Sequence, residues 1–230
     1  PAGGKSELID FIKRSPLADR GDRYHIGDIV EIDDFVWLWE KFVEDDIWEQ
    51  MGEPRLYSRT VPLGYVQLEG DRILDMMIRK LDQTTRRDYL ANPDFYEDHT
   101  LFIEFARGKV DGGYAAAYPS FSREVLERAA ICYIQVTYEE SRRKNEARYQ
   151  ESLAHSILAH KLPDEALERF SAEQDWAELT GGRDDGFLDI HGLKVPFVTL
   201  QNEPELKDPV ALEARYGGAM RRLWSLYEGR

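Results

Sequence analysis

SREVLERAAICYIQVTYEESRRKNEARYQESLAHSILAHKL, Ser122–Leu162, is the stretch on which the reading of this chain turns. It contains neither Gly nor Pro. Pro119 lies just before it, Ser120 or Ser122 can cap its start, and Pro163 follows its end, so the spacing predicts one long helix. About forty helical residues at ~1.5 Å each span ~60 Å, whereas a compact chain of this length has a radius of gyration near ~17 Å. Such a helix either protrudes or breaks near its middle. From Val125 to Val136 it is apolar on more than one side, which predicts burial. From Glu139 to Gln150 it is charged all round, with Glu139–Arg143, Glu140–Lys144 and Arg142–Glu146 at i,i+4 spacing, the pattern of a solvated bridge. Leu153, Ala154, Ile157, Leu158 and Leu162 then restore an apolar stripe. The expected object is a shaft with a buried end, a solvated middle and a second docking face.

Upstream, helical spacing dominates. Ser6 caps a short helix to about Lys13, and Ser15–Gly27 reads as a loop. The alternation of Tyr24, Ile26, Val30 and Ile32 gives a weak strand signal. Asp33 or Asp34 caps the strongest amphipathic helix, Phe35–Met51, with Leu38, Trp39 and Phe42 on its apolar stripe and Gly52 and Pro54 at its stop. Further helices are expected from Thr60 to about Asp82, over Thr84–Leu90 and over Asp94–Arg107, with Asp111–Pro119 as a connector. Downstream, a helix is expected over Pro163–Leu179. The extended stretch Phe187–Leu200 is expected to form a hairpin turning at His191–Gly192 or to pair with the Tyr24–Ile32 segment, and a last helix runs from Asp208 to Tyr227, with Gly217–Gly218 marking a kink or a close contact.

The fold class that follows is mostly α: a multi-helix domain with one long, partly solvated helix and at most a small β-hairpin. Residues 1–138 form the expected helical core and 139–230 the long-helix extension with the C-terminal helices. The expected core includes Leu38, Trp39, Phe42, Leu74, Met77, Leu126, Ala129, Tyr133, Phe170 and Leu223.

A formal charge of −14 argues against nucleic acid as the main partner, because phosphate binding needs a basic surface. No run of apolar residues is long enough to span a bilayer. The lone cysteine, Cys132, excludes an intrachain disulfide, suits a reducing intracellular compartment and reads as a small core residue. The 5 Trp and 12 Tyr raise the prospect of a protein-binding surface.

Motifs that name a reaction are scarce. Gly3-Gly4-Lys5-Ser6 has the letters that end a phosphate-binding loop, but that motif needs an earlier glycine and a strand ahead of it, and the reading is set aside for want of both. His155 and His160 lie five apart on the long helix and do not share a face, and Glu151 and His155 miss the Glu-x-x-His spacing by one residue, so no metal and no cofactor is expected. Arg148 and His155, spaced Arg-x6-His, resemble the motif of the HEPN ribonucleases; Arg20 and His25 repeat it with four residues between. That resemblance covers the motif alone and implies an all-helical, metal-independent ribonuclease that acts as paired protomers. The leading expectation is a non-catalytic scaffold or accessory subunit that binds other protein subunits, in the mitochondrial matrix or the cytoplasm.

Overall fold

The apolar end of the expected shaft is a β-strand. The computed structural model describes residues 3–62, 64–70, 72–155 and 162–230, with backbone alone at 152–155. In chain order the helices are α1 (Lys5–Arg14), α2 (Leu17–Tyr24), α3 (Asp34–Gln50), α4 (Ile73–Thr84), α5 (Phe95–Asp98), α6 (Gly113–Ala117), α7 (Arg123–Leu126), α8 (Tyr138–His155), α9 (Asp164–Ser171), α10 (Trp176–Thr180), α11 (Pro209–Leu212) and α12 (Gly218–Glu228). The strands are β1 (Asp28–Asp33), β2 (Ser58–Val61), β3 (Gly64–Gln67), β4 (His99–Glu104), β5 (Ile131–Gln135), β6 (Asp185–Ile190) and β7 (Leu193–Gln201).

The expectation of a mostly α chain with at most one hairpin is therefore overturned. Helix makes up 55% of the chain and strand 19%, arranged in three sheets, which makes the fold α/β. β1 and β4 pair in parallel, β2 and β3 form an antiparallel hairpin, and β5 runs parallel to β7, which pairs antiparallel with β6. The long helix splits in three: α7, β5 and α8. Strands buried on both faces read as continuous apolar runs, and a short run of that kind has the same hydrophobicity as a buried helical turn. The Asp94–Arg107 helix dissolves for the same reason into α5 and β4, whose core is Thr100-Leu101-Phe102-Ile103. Thr60–Asp82 splits into β2, β3 and α4, and Pro163–Leu179 into α9 and α10.

The solvated middle of the shaft is corrected too. α8 buries one polar flank, Glu140, Ser141, Lys144 and Asn145. Lys144 Nζ holds Glu7 of α1 at 2.9 and 3.0 Å, and Asn145 Nδ2 donates to the Leu162 carbonyl at 2.8 Å. Of the expected far docking face, Leu153–Leu162, every side chain but that of Leu162 lies outside the described residues, as does His160.

Two apolar clusters cover opposite faces of the parallel strands. One gathers Ile32, Leu101, Ile103, Ile131, Tyr133 and Phe197 under α6, α7 and α10. The other gathers Ile29, Phe102, Cys132, Ile134 and Leu200 under α1, α2 and α12. The alternation of strand residues between the two is the period of two that defines a sheet sandwiched between helix layers. A third cluster joins Leu38 and Phe42 of α3, Ile73, Leu74 and Met77 of α4, and Phe170 of α9. Several sequence expectations hold: Asp33 caps α3 through its side chain, α1 forms although Gly4 and not Ser6 stands at its cap, the hairpin β6–β7 forms, and His191 (φ 55) and Gly192 (φ 73) make its turn in the left-handed region. Of the expected core, Trp39, Ala129 and Tyr133 are half-buried and the others buried.

Asp45, wholly buried on α3, ties the β2 segment down. Its carboxylate accepts from the Leu56, Tyr57 and Ser58 amides and from the Ser58 hydroxyl at 2.7–2.9 Å. Burial acts to raise its pKa, but these four donors outweigh it and hold the carboxyl below its usual value. A depressed carboxyl stabilises the fold above its unfolded pKa, and that contribution is lost as pH falls through the folded one. Asp45→Asn is expected to cost about 2–3 kcal/mol at neutral pH and to flatten the loss of stability below about pH 4; urea titrations at pH 7 and pH 3 check both.

Candidate phosphate site

Parallel strands deliver their carboxyl ends to one rim, and in open α/β sheets that rim is where ligands bind. β1 ends there at Asp33 and β4 at Glu104, facing each other in register. α3 starts at once after β1, with Asp33 Oδ1 accepting from Phe35 N at 2.9 Å. α1 starts at Lys5, directly after Gly4, whose left-handed conformation (φ 95) turns the chain into the helix.

Two contacts place the Gly3–Ser6 loop at this rim. Lys5 Nζ lies 3.1 Å from Glu104 Oε2 at the end of β4. On the other side, a Cβ added to Gly3 would lie 3.6 Å from the Ile134 carbonyl near the end of β5. A buried polar network fixes the loop from beneath. Asn202, just past β7, donates to the Gly3 carbonyl at 2.9 Å and to Glu7 at 3.2 Å, while its own Oδ1 accepts from Tyr216 at 2.7 Å. Gly4 has no room for a side chain, since a Cβ would lie 2.2 Å from Asn202 Nδ2.

The loop borders a crevice of about 130 Å³ that also takes in Asp33, Asp34, Glu104, Arg107 and Arg148, with Phe35, Leu74 and Phe170 as its apolar wall. Arg107 is engaged from within the fold: it pairs with Asp34 at 2.7 Å and donates to the Leu74 carbonyl at 3.0 Å and the Ala106 carbonyl at 2.6 Å. Burial raises the Asp34 carboxyl above its usual value, with Arg107 pulling the other way. This pair is structural, pinning the start of α3 to the end of β4. Lys5 and Arg148 remain as cations facing the crevice, and Asp33 and Glu104 as acids. The N-termini of α1 and α3 both open on it, adding the positive ends of two helix dipoles.

The other sequence candidates sit elsewhere. Arg148 and His155 are two turns apart on α8, roughly 10 Å along the axis, and the side chain of His155 lies outside the described residues. The all-helical fold implied by that pair is not the fold of this chain. Arg20 is buried against Asp28 at 2.9 Å, and His25 stacks on Trp224 at 4.2 Å, so neither is near the rim. Burial pushes the Cys132 thiol, half-buried on β5, up to about 12, which leaves it protonated. Among the described residues no cluster of three or more His, Cys, Asp or Glu side chains could hold a metal ion, and no helix is long and apolar enough to cross a membrane. Glu104 was missed because its apolar run read as helix; the signal was an unbroken Leu-Phe-Ile closed by an acid. No family model matches the chain, and the comparisons with curated proteins and with solved structures found no match.

Proposed function

We propose that the chain binds the phosphates of a nucleoside triphosphate at the Gly3–Ser6 loop and transfers the terminal phosphoryl group to an acceptor held in the crevice beside α3. The observation that carries this reading is the placement of Gly4-Lys5-Ser6. The loop turns into a helix N-terminus at the carboxyl end of parallel strands, beside an acid that ends β4. Phosphoryl transfer asks a protein mainly for positioning and charge stabilisation, and each part has a candidate here. The amides of the first turn of α1 would cradle phosphate oxygens. Lys5, released from Glu104, would follow the charge that develops on the transferred group. Asp33 would accept the acceptor's proton as the new P–O bond forms and the bond to the leaving diphosphate breaks. A magnesium ion would arrive with the nucleotide, since it is bound through one or two carboxylates plus substrate phosphates. Glu104 would supply such a carboxylate and Ser6 a hydroxyl oxygen, and the ion would neutralise charge on the phosphates.

The test is ligand-linked stability. Magnesium ATP at about a hundred times its Kd stabilises a folded chain by about 2.7 kcal/mol, which is expected as a rise in Tm that Lys5→Ala removes. No rise with ATP, GTP or pyrophosphate would defeat the reading.

A second reading, an accessory subunit that docks on other proteins, has lost the protruding shaft that was its main argument. It keeps one observation. Val36, Val43 and Ile47 along α3 and Met51 just past its end repeat at helical spacing and are exposed by 55, 39, 52 and 66%. Contiguous exposed apolar faces mark interaction sites. A single-chain sedimentation mass that Ile47→Glu leaves unchanged would count against it.

A further inference from the structure

β4 and β5 share a sheet plane without pairing. Leu101 and Ile103 of β4 enter the same cluster as Ile131 and Tyr133 of β5, and Phe102 enters the opposite cluster with Cys132 and Ile134. Each strand has one strand neighbour among the described residues, β1 for β4 and β7 for β5. In a parallel strand, alternate residues present both N–H and C=O to the same side. Half the backbone groups of each strand therefore face the other across a gap. That gap is an apolar cavity of about 610 Å³, bounded by β4 and β5 at its sides, Leu8 and Met220 on one face and Tyr114 and Tyr118 on the other. Protein interiors leave few voids larger than a water molecule, and buried backbone groups are almost always paired. An apolar cavity edged by two rows of hydrogen-bonding groups has the shape and chemistry of a strand.

The direction of the missing element follows from its neighbours. β4 and β5 both end at the rim where Gly3 lies, the one beside Lys5 and the other beside Gly3. A strand parallel to both would end at the rim beside Gly3, where α1 begins.

We propose that this cavity is a strand site filled by the stretch of this polypeptide that leads into Gly3, completing one sheet in the order β1, β4, inserted strand, β5, β7, β6. Its residues face apolar layers on both sides, so the occupant is a run of five or six apolar, largely β-branched residues. The proposal does not depend on phosphate binding, although the strand would brace the Gly3–Ser6 loop from behind.

The experiment compares three forms: the chain beginning at Pro1, that chain preceded by Lys-Val-Ile-Val-Ile-Glu-Gly, and that chain preceded by a Ser/Asn/Gly linker of equal length. Amide exchange is read at Leu101–Glu104 and Ile131–Gln135 together with Tm. With the apolar extension, alternate amides of both strands are expected to slow by at least about 100-fold, and Tm to rise by roughly 10 °C or more. Both effects are expected to stay constant from about 1 to about 100 µM protein, as an intramolecular strand requires. The polar linker is expected to do neither. Equal slowing by both extensions, or slowing by neither, overturns the proposal. So does protection that grows with protein concentration, which would mean a strand from a second copy. Amides already equally slow in the chain beginning at Pro1 would show the gap closed by direct β4–β5 pairing, and overturn it as well.

Discussion

Lys5→Ala is expected to lower phosphoryl transfer from a nucleoside triphosphate by about 10²–10³-fold with the fold intact. That factor corresponds to about 3–4 kcal/mol of transition-state stabilisation, the range seen when one preorganised charge or donor is removed from a site where negative charge develops. The cost to stability is expected to be small. Lys5 is one-third exposed and its ion pair with Glu104 lies at the edge of the crevice; partly exposed pairs contribute at most about 1 kcal/mol. Single-turnover kinetics alongside thermal denaturation separate the two. A variant that loses Tm in step with rate would make Lys5 a structural residue, and a variant with undiminished rate would remove it from the site. The reading also predicts that Lys5→Arg recovers phosphate binding better than transfer, because the guanidinium carries the charge but not the compact geometry of the ammonium.

The largest stability effect is expected at Phe197. Its side chain is wholly buried on β7, the central strand of the three-stranded sheet, and meets Trp176 edge-on with ring centroids 5.4 Å apart. Trp176 is in turn stacked on Tyr133 of β5 at 4.4 Å and anchored by its indole N–H to the Thr199 hydroxyl at 2.8 Å. Phe197→Ala removes the ring at the junction of α10, β5 and β7 and leaves a cavity that this aromatic packing cannot close. The expected cost is about 4 kcal/mol, or a fall in Tm of roughly 8–15 °C for a chain of this size. A loss below about 1 kcal/mol in urea denaturation would mean that β7 does not run through the core. Thr199→Val gives a graded comparison, since it spares the volume and orphans only the Trp176 N–H, at about 1–2 kcal/mol.

The elements legible in the sequence were those with one wet face. α3 announces itself through Leu38 and Phe42 at helical spacing and an Asp33 cap, and β6–β7 through His191–Gly192. β4 and β5 have no wet face. Ile131-Cys132-Tyr133-Ile134 sends alternate residues into two different cores, and hydropathy sees four apolar residues in a row. Nothing between Leu126 and Ile131 interrupts a helical reading, because Ala129 and Ala130 suit either state. α8 misled in the opposite way. Lys144 and Asn145 are buried because Glu7 and the Leu162 carbonyl satisfy them, and the pairing of a charge with a group over a hundred residues away leaves no local trace.

The site was half legible. Gly4-Lys5-Ser6 was visible as letters, but the letters acquire chemical meaning only from the strand ends around them. Glu104 and Asp33 lie 71 residues apart in sequence and meet because β1 and β4 pair in register from Asp28–His99 to Asp33–Glu104. That pairing depends on both strands being recognised, and β4 was hidden in an expected helix.

Amide exchange over Gly3–Glu7, with and without magnesium ATP, tests most directly the claim that this loop cradles phosphate. The amides of Gly4, Lys5 and Ser6 are expected to slow by about tenfold or more on addition of nucleotide, because phosphate oxygens would accept hydrogen bonds from N–H groups that the first turn of a helix leaves unpaired. Unchanged exchange at these three residues under saturating nucleotide, or protection confined to the arginines of α8, would contradict it.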